Sequence, residues 1–277
     1  MSVKEVNIFL QDKKFRPSRK MGQNFLINPK IKQMIVDAAN LQPNDVVLEI
    51  GPGVGAITSF LLMNKIKLIA LEIDKRLAEL LSTKFKGYQN FNLKNVDALK
   101  VDWTSILQET TQEPVKLVAN LPYSISSLLV LKIIQTPSVQ TAVIMVQKEM
   151  AERLNAKVGT HAYNMFSVLV QLYLKTEKLF DVGPNNFSPK PKVDSAVIRL
   201  TRIETPTYSI ADFESINNFL RIAFSNKRKT LVNNLSTNYS KEQIHEVLNR
   251  LGFSLTIRAE QIKPLDLLQL MKELNHA

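Results

Sequence analysis

Two short segments of the sequence combine residue types that suit a ligand site. Gly51, Gly53 and Gly55 stand close together in a chain that has only eight glycines. Glycine lets the backbone turn tightly and approach a ligand without interference from a Cβ atom. The second segment, Asn120-Leu121-Pro122-Tyr123, offers an amide, a rigid proline and an aromatic ring. The two segments together predict a site with a backbone cradle and a place for a planar group.

The glycine segment has the spacing of a nucleotide-binding turn. Gly51, Gly53 and Ala56 fit the pattern G-x-G-x-x-A. Glu72 follows about 20 residues later, where an acidic side chain can accept hydrogen bonds from ribose hydroxyls. By itself this pattern fits a nicotinamide cofactor, and hence an oxidoreductase, as well as S-adenosylmethionine.

The Asn120–Tyr123 segment suits chemistry at an exocyclic amine of a nucleic-acid base. Such an amine is a poor nucleophile, because its lone pair is delocalised into the ring. The Asn120 side-chain oxygen and a backbone carbonyl beside Pro122 can accept the two N–H hydrogens and favour a tetrahedral nitrogen. The Tyr123 ring can stack on the base. The segment is therefore a candidate site for modification of the amine.

The elements around these segments alternate between strand and helix patterns. Strands are predicted at 46–50, 67–72, 90–95, 115–120 and 141–147, with helical patterns between them, which indicates a parallel α/β sheet. Ligands of such sheets bind beyond the carboxyl ends of the strands. Four side chains or backbone positions should therefore converge on one crevice, namely Gly51, Glu72, Asp97 and Asn120.

The remaining elements divide the chain into two predicted domains. A helix begins at Asn28-Pro29 and another lies near 163–174, and strands at 178–182 and 193–201 should pair antiparallel. From Thr205-Pro206 onward the pattern is helical, with a Ser240-x-x-Gln243 capping box. We predict an α/β catalytic domain over 1–204 and a helical domain over 205–277.

The charge distribution predicts a polyanionic partner such as a nucleic acid. The net charge is +11, and residues 1–32 carry eight Lys or Arg against Glu5 and Asp12, a net +6. We predict that two basic groups contact the partner, the second on a helix of the C-terminal domain. They are Lys13, Lys14, Arg16, Arg19 and Lys20, and Lys227, Arg228 and Lys229.

Composition excludes several other classes of protein. The chain has no cysteine, and its three histidines, His161, His245 and His276, are far apart, so we expect no metal site. No apolar run approaches the ~18 residues of a membrane span, and the basic N-terminal segment lacks a secretory signal. We therefore expect a cytoplasmic protein with no membrane partner.

Six separated motifs resemble, in the same order, those of one enzyme family. They are Lys20–Leu26, Leu48–Gly53, Asn120–Tyr123, Gln147–Leu154, Phe187–Val197 and Lys227–Leu231. With these residues the chain resembles the KsgA-type ribosomal RNA adenine dimethyltransferases, also called the RsmA family, over nearly its whole length.

The resemblance implies a fold, a reaction and a set of site residues. The fold would be a class I S-adenosylmethionine-dependent methyltransferase, Rossmann-like, with a mostly parallel seven-stranded sheet whose last strand is antiparallel, plus a small helical RNA-recognition domain. A monomeric enzyme would transfer methyl groups from S-adenosylmethionine to N6 of two adjacent adenosines near the 3′ end of 16S, small-subunit ribosomal RNA, in the assembling subunit. Cofactor contacts are implied at Asn24, Leu26, Gly51, Gly53, Glu72, Asp97 and Asn120. The target base is implied to meet Asn120, Leu121, Pro122 and Tyr123, with Phe187 as a second stacking ring.

Two other functions stay open beside this one: a related methyltransferase acting on large-subunit RNA or on DNA, and a ribosome assembly factor without catalysis. Residues 194–197 and 224–231 resemble the small-subunit enzymes more closely, and a protein that only binds RNA does not need an intact Asn120–Tyr123 segment.

One departure from the family pattern concerns His161–Met165, where the family usually has Lys-Ala-Tyr-Gly-Arg. It removes two cationic side chains from a segment expected near RNA. We interpret His161 as a surface or capping residue.

Overall fold

The computed structural model describes residues 24–204 and 208–276, which form two compact units. The first unit contains the residues up to Ala151 together with Thr176–Arg202. The second contains Glu152–Lys175 and the residues from Ile203 onward. Each unit is therefore built from two separate segments of the chain.

The first unit is an α/β unit around one large sheet. The elements of its first segment are β1 (Phe25–Leu26), α1 (Pro29–Ala38), β2 (Val46–Ile50), α2 (Thr58–Leu61), β3 (Lys67–Glu72), α3 (Lys75–Lys84), β4 (Phe91–Asn95), α4 (Trp103–Gln108), β5 (Val115–Asn120), α5 (Ser126–Gln135), β6 (Val139–Gln147) and α6 (Lys148–Leu154), whose end passes into the second unit. The later segment adds β7 (Leu174–Val182), which begins in the second unit, β8 (Phe187–Ser188) and β9 (Ser195–Arg202).

The sheet has seven strands in the order β4-β3-β2-β5-β6-β9-β7. The strands from β4 to β6 pair in parallel, and β9 pairs antiparallel with β6. This topology confirms the expected Rossmann-like sheet with an antiparallel last strand. All five residues of β2 are buried, as is typical of a strand covered on both faces.

The strand predictions agree closely with the structure. The strands at 46–50, 67–72 and 115–120 have the predicted bounds, whereas the bounds of the other four differ from the prediction by one to four residues. Strands β7 and β9 are hydrogen-bonded neighbours in the sheet. The pair of β1 and β8, two residues each and antiparallel, was not predicted, because two residues are too short to show a period.

The second unit is helical. It contains the end of α6, then α7 (Met165–Tyr173), α8 (Phe213–Ala223), α9 (Leu231–Leu235), α10 (Lys241–Arg250) and α11 (Pro264–His276). Helix α7 packs on α8 and α11, and α10 packs on α11. Among the described residues, no helix is long and apolar enough to cross a membrane.

Helix α7 shows why the two units differ from the predicted division at residue 205. Most of its side chains are buried, including Val168, Leu169 and Val170, and it packs with the C-terminal helices. Its N-cap is Asn164, and Tyr163 donates a hydrogen bond to the Ile262 carbonyl (3.0 Å). The segment that departs from the family pattern therefore has a structural role within this unit, and His161 is exposed.

The predicted capping box of α10 is half formed. The Ser240 hydroxyl accepts a hydrogen bond from the Gln243 N–H (3.1 Å), as predicted. The Gln243 side chain instead donates to the Leu274 carbonyl of α11 (2.9 Å). The glutamine thus links two helices, a contact between distant residues that local spacing does not show.

Candidate active site

The glycine turn follows β2 and is fixed by its backbone and by packing. Gly51, Gly53 and Gly55 have φ angles of 64°, 60° and 76°, in the left-handed region that favours glycine. The Gly51 N–H donates to the Leu71 carbonyl of β3 (2.9 Å). A Cβ atom at Gly55 would lie 2.8 Å from Cε2 of Phe85. The turn therefore requires glycine both for its dihedral angles and for its contacts.

Glu72 ends β3 and is bonded to the same turn. Its Oε2 accepts from the Gly53 N–H (3.0 Å) and its Oε1 from the Asp74 N–H (2.9 Å). Burial raises the pKa of Glu72, and these two backbone donors oppose the rise. Each carboxylate oxygen has a second lone pair, so Glu72 can also accept hydrogen bonds from two neighbouring hydroxyls of a ligand.

Glu49 is a second acid in the site, and the sequence analysis did not identify it. It lies in the middle of β2 with 2% of its surface exposed, and its Oε2 accepts from the Thr58 hydroxyl (2.7 Å). Burial raises the pKa of Glu49 to about 8, and the nearby Glu72 contributes to the rise. The available signal was an acid inside an apolar strand, two residues before Gly51.

Asn120 is the last residue of β5, and a hydrogen bond to Asn24 sets the orientation of its side-chain amide. Its Nδ2 donates to the backbone carbonyl of Asn24 (3.2 Å). Because a carbonyl can only accept, this contact requires the amide nitrogen on that side, so Oδ1 is the acceptor that Asn120 can offer to a ligand. The side chain therefore has the orientation that the amine chemistry requires.

The turn after Asn120 presents a backbone acceptor. The Pro122 carbonyl accepts from the Ile125 N–H (3.2 Å) and the Tyr123 carbonyl from the Ser126 hydroxyl (3.1 Å). These contacts stabilise the turn at the start of α5. The Leu121 carbonyl, which directly precedes the proline, is the remaining candidate for a second acceptor beside Asn120.

The Tyr123 ring is held by its hydroxyl. Tyr123 Oη and Ser195 Oγ lie 2.6 Å apart, and Ser195 on β9 is fully buried. Burial raises the pKa of Tyr123, while the hydrogen bond to Ser195 opposes the rise. The phenol is therefore neutral near pH 7 and has an anchored ring that can stack on a base.

These groups meet in one cleft of about 760 Å³, including its open mouth. Nine residues that the sequence analysis proposed line it: Asn24, Leu26, Gly51, Gly53, Glu72, Asn120, Leu121, Pro122 and Tyr123. The structure therefore brings together most of the predicted site. Seven further residues line it: Phe25, Glu49, Pro52, Ala56, Ile57, Ile73 and Leu77. Of these, Ile73 is apolar yet 52% exposed, and so offers a surface for a flat ring.

Asp97 and Phe187 lie outside the lining of this cleft. The Asp97 loop is attached beside the cleft, since the Val96 N–H donates to the Glu72 carbonyl (3.0 Å). Phe187 is 3% exposed and packs in the apolar core with Leu26, its partner in the β1–β8 pair. The role of Phe187 as a second stacking ring stays a prediction.

The structure describes only one of the two predicted groups of basic residues. Lys13, Lys14, Arg16, Arg19 and Lys20 lie outside the described residues. Lys227, Arg228 and Lys229 are exposed, but the prediction that they lie on a helix is wrong: they form a turn between α8 and α9. The reason is that Asn226 Oδ1 accepts from the Arg228 N–H (3.1 Å) and Thr230 caps α9 at Asn233 N–H (3.3 Å), so the new helix begins after the basic residues.

The sequence model of the family described as ribosomal RNA adenine dimethylase matches residues 14–276. The chain belongs to this family. Ribosomal RNA small subunit methyltransferase A of Ureaplasma urealyticum is 47% identical over 270 residues, which cover 96% of this chain and 95% of that protein. The protein of the same name from Alkaliphilus metalliredigens is 39% identical over 269 residues, 93% of this chain and 94% of its own.

Two solved structures are similar to this chain in fold as well as in sequence. A dimethyladenosine transferase from Plasmodium falciparum superposes with a TM-score of 0.78 at 33% identity, over 91% of this chain and 98% of that one. The 23S rRNA methyltransferase ErmE superposes with a TM-score of 0.69 at 28% identity, over 91% of this chain and 100% of that one. Both agree with a class I methyltransferase fold.

S-adenosylmethionine is the cofactor of this class of dimethylase, and the cleft fits it. Glu72 has two carboxylate oxygens that can accept hydrogen bonds from ribose hydroxyls, Gly51 and Gly53 would allow the backbone to approach a ligand closely, and Ile73 offers apolar surface that an adenine ring could cover. Among the described residues, no group of histidine and acidic side chains could hold a metal ion. By family, the chain is an S-adenosylmethionine-dependent methyltransferase.

Proposed function

We propose that this chain dimethylates N6 of two adjacent adenosines near the 3′ end of small-subunit ribosomal RNA. The observation that carries the proposal is the convergence of Glu72, the Gly51–Gly55 turn and Asn120–Tyr123 on one cleft. The relatives named small subunit methyltransferase A support the substrate, since they match over nearly the whole chain at 39–47% identity. We further propose that a monomer acts in the cytoplasm on the assembling small subunit.

The acceptors at the end of β5 prepare the amine for methylation. Asn120 Oδ1 and the Leu121 carbonyl accept its two N–H hydrogens, which localises the nitrogen lone pair and aims it into the cleft. The Tyr123 ring, anchored at Ser195, holds the base by stacking. Because the amine nitrogen becomes acidic once it is alkylated, no general base has to act first, and its proton leaves to water or to one of these oxygens. Positioning therefore supplies most of the catalysis.

Glu72 and the glycine turn hold the methyl donor, which supplies an electrophilic methyl group when it is bound. The side chain of Glu72 accepts from ribose hydroxyls while its backbone donors keep both oxygens in place. Asn24 and Leu26 line the same cleft from β1 and its preceding residue. We propose that Asp97 contacts the adenine amine from the loop after β4.

The cofactor assignment is tested by Glu72→Ala. We expect S-adenosylmethionine to bind about 10- to 150-fold more weakly, because hydrogen bonds to a charged acceptor contribute ~1.5–3 kcal/mol. Calorimetric titration of the RNA-free protein measures this. Glu79→Ala removes an exposed acid from the neighbouring helix α3 and should bind as the wild type does. Equal affinities for all three proteins would place the ribose-binding acid elsewhere.

The substrate assignment is tested by tritiated methyl transfer to ribosomal subunits from a strain that lacks this methylation. We expect label in N6,N6-dimethyladenosine of small-subunit RNA and none in large-subunit RNA. Incorporation into large-subunit RNA would favour the activity named for ErmE. Binding to small subunits without any incorporation would favour an assembly factor, and both outcomes would contradict the proposal.

A further inference from the structure

The loop that follows β4 carries Asp97 and is held by side chains from outside it. Within the loop, Asp97 Oδ1 accepts from the Leu99 N–H (2.9 Å). At its start, Asn95 Nδ2 donates to the Glu72 carbonyl (2.7 Å). The beginning of the loop is thus attached beside the proposed ribose site. Its far end lies beyond the strand, so its position depends on other contacts.

Lys132 supplies those contacts from the last turn of α5. Its ammonium donates to the Leu99 carbonyl (3.0 Å) and to the Val101 carbonyl. Burial lowers the pKa of Lys132, and the negative charges of Asp102 and Asp97 oppose that effect. One cation therefore bonds two carbonyls of the Asp97 loop and lies in the field of the Asp97 carboxylate.

Trp103, the single tryptophan of the chain, also bonds to the Asp97 loop. Its indole N–H donates to the Ala98 carbonyl (2.8 Å), and the Lys132 ammonium lies 5.8 Å from its ring centroid. That distance is within the range of a cation–π interaction. Ala98, Leu99 and Val101 are therefore all fixed through their carbonyls by Lys132 or Trp103.

Helix α5, which carries Lys132, also begins at the segment proposed to bind the target base. The helix starts at Ser126, whose hydroxyl donates to the Tyr123 carbonyl (3.1 Å). Its buried face includes Leu129 and Val130, so it is a rigid part of the core. The same helix thus contacts the target-base turn at its start and the Asp97 loop at its end.

We propose that Lys132 is a positioning residue that holds the Asp97 loop in its cofactor-binding conformation and ties it to the helix that begins at the target-base turn. The proposal rests on the proposed function, in which Asp97 contacts the adenine amine of S-adenosylmethionine. Lys132 does not touch the reacting atoms. Its effect on cofactor binding passes through the backbone of residues 97–101.

The test compares Lys132→Met with a matched Lys→Met variant in β5, the strand that precedes α5. Lys116 also donates to a backbone carbonyl, that of Asn40 (2.6 Å), but it lies near the amino end of β5, away from the cleft. We expect Lys132→Met to weaken binding of S-adenosylmethionine to the RNA-free protein about 3- to 30-fold, the effect of removing one charged supporting group. Lys116→Met should leave it within twofold of wild type, and Lys132→Arg should restore most of the affinity.

Two further readouts separate positioning from general stability. In steady-state assays Lys132→Met should raise the KM for S-adenosylmethionine and leave the KM for RNA unchanged. Trp103 emission should shift in Lys132→Met and stay as in wild type in Lys116→Met. In the double variant with Asp97→Ala, Lys132→Met should add less than twofold to the loss of cofactor affinity, because both changes remove the same interaction.

The outcomes decide the two proposals separately. If Asp97→Ala weakens cofactor binding but Lys132→Met binds as Lys116→Met does, the role of Lys132 is wrong and the role of Asp97 stands. If the losses from Asp97→Ala and Lys132→Met are fully additive, Lys132 does not act through the Asp97 loop. If Asp97→Ala binds S-adenosylmethionine normally, the proposed adenine contact fails and the role of Lys132 fails with it. If Lys132→Met does not fold, Lys132→Gln, which removes the charge but keeps an N–H donor group, replaces it in each comparison.

Discussion

At the scale of single residues, the orientation of one amide decides whether the proposed chemistry can occur. Asn120 Oδ1 can accept from an amine because its Nδ2 is engaged by the Asn24 carbonyl. We expect Asn120→Ala to lower turnover roughly 10²- to 10³-fold, as loss of one preorganised polar partner usually does, with a much smaller effect on RNA affinity. Single-turnover methyl transfer to small subunits measures the chemical step.

A matched control for this variant is Asn92→Ala, which removes an exposed asparagine from β4. It should retain the turnover of the wild type. Asn120→Ala turnover within threefold of wild type would show that the amide oxygen does not localise the amine lone pair.

The buried carboxyl of Glu49 should make the stability of the folded chain depend on pH. In the folded chain the pKa of Glu49 is about 8, against 4.5 in the unfolded chain. Above pH 4.5 the unfolded chain therefore loses a proton that the folded chain keeps. The free energy of unfolding falls as pH rises toward 8, by about 3 to 5 kcal/mol from this group alone, and Glu49 contributes no penalty below pH 4.5.

Glu49→Gln should remove this contribution, because glutamine is neutral and can still accept from the Thr58 hydroxyl. Urea denaturation at pH 5, 6, 7 and 8 measures the free energy of unfolding of both proteins. We expect the variant to gain stability relative to wild type as pH rises. Exposed Glu79→Gln should follow the wild-type curve. Parallel curves for wild type and Glu49→Gln would mean that Glu49 ionises normally in the folded protein.

At the scale of elements, the sequence predicts the structure correctly where a local pattern fits only one type of element. Continuous apolar runs bounded by turn residues gave β2, β3 and β5, and the rule that ligands bind at the carboxyl ends of parallel strands placed Gly51, Glu72 and Asn120 together. The apolar run around Glu49 indicated its burial, but its hydrogen bond from Thr58, nine residues away, does not follow from the local pattern.

Contacts between distant residues account for the other differences at this scale. The β1–β8 pair joins residues 25–26 to 187–188, and Gln243 bonds a carbonyl of another helix. The prediction of a helix at 227–229 rests on the spacing of the basic residues and on Phe224, Leu231 and Leu235, which could pack inward. A buried amide fixes the turn instead: Asn234 donates to the carbonyls of Ala223 (2.7 Å) and Asn226 (3.1 Å).

The glycine turn should tolerate alanine less well than another turn with the same backbone conformation. Gly55 and Gly159 both have positive φ, 76° and 80°, but a Cβ atom would meet Phe85 only at Gly55. Gly159→Ala should therefore cost about 1–2 kcal/mol from backbone strain, and Gly55→Ala a further 1–3 kcal/mol from overpacking. Denaturant titration of both variants measures the difference. Equal destabilisation would show that Phe85 can move aside without cost.

At the scale of the whole molecule, the excess of positive charge is the feature that bears on RNA binding. Residues 1–32 carry a net +6 out of the total of +11. The turn containing Lys227, Arg228 and Lys229 adds three consecutive exposed cations on a backbone fixed by Asn234. Because the backbone of this turn is already fixed, only the side chains have to be ordered when they bind phosphates, so this turn is a stronger candidate for a phosphate contact than its net charge alone suggests.

The salt dependence of RNA binding measures how many phosphates each basic group contacts. Replacing Lys227, Arg228 and Lys229 by Gln should reduce the log–log slope by about 0.7 to 0.9 for each phosphate that is no longer neutralised, and so by roughly 2 to 3 in total. Replacing Lys13, Lys14, Arg16, Arg19 and Lys20 by Gln should also reduce it, and the two reductions should add if the groups contact separate RNA segments. Affinity of the RNA-free protein for S-adenosylmethionine should not change in either variant.

The matched control removes the same number of positive charges from a different part of the chain. Lys65, Lys67 and Lys86 are exposed on the first unit, where Lys67 starts β3 at the end of the strand opposite Glu72. Their triple replacement by Gln lowers the net charge by the same three units as replacement of Lys227, Arg228 and Lys229. If both three-site variants reduce the slope equally, total charge determines RNA binding and no specific contact is needed. If the variant at residues 227–229 alone reduces it, the basic turn contacts phosphates directly. An unaltered slope in the N-terminal variant would show that the basic side chains among residues 13–20 neutralise no phosphate.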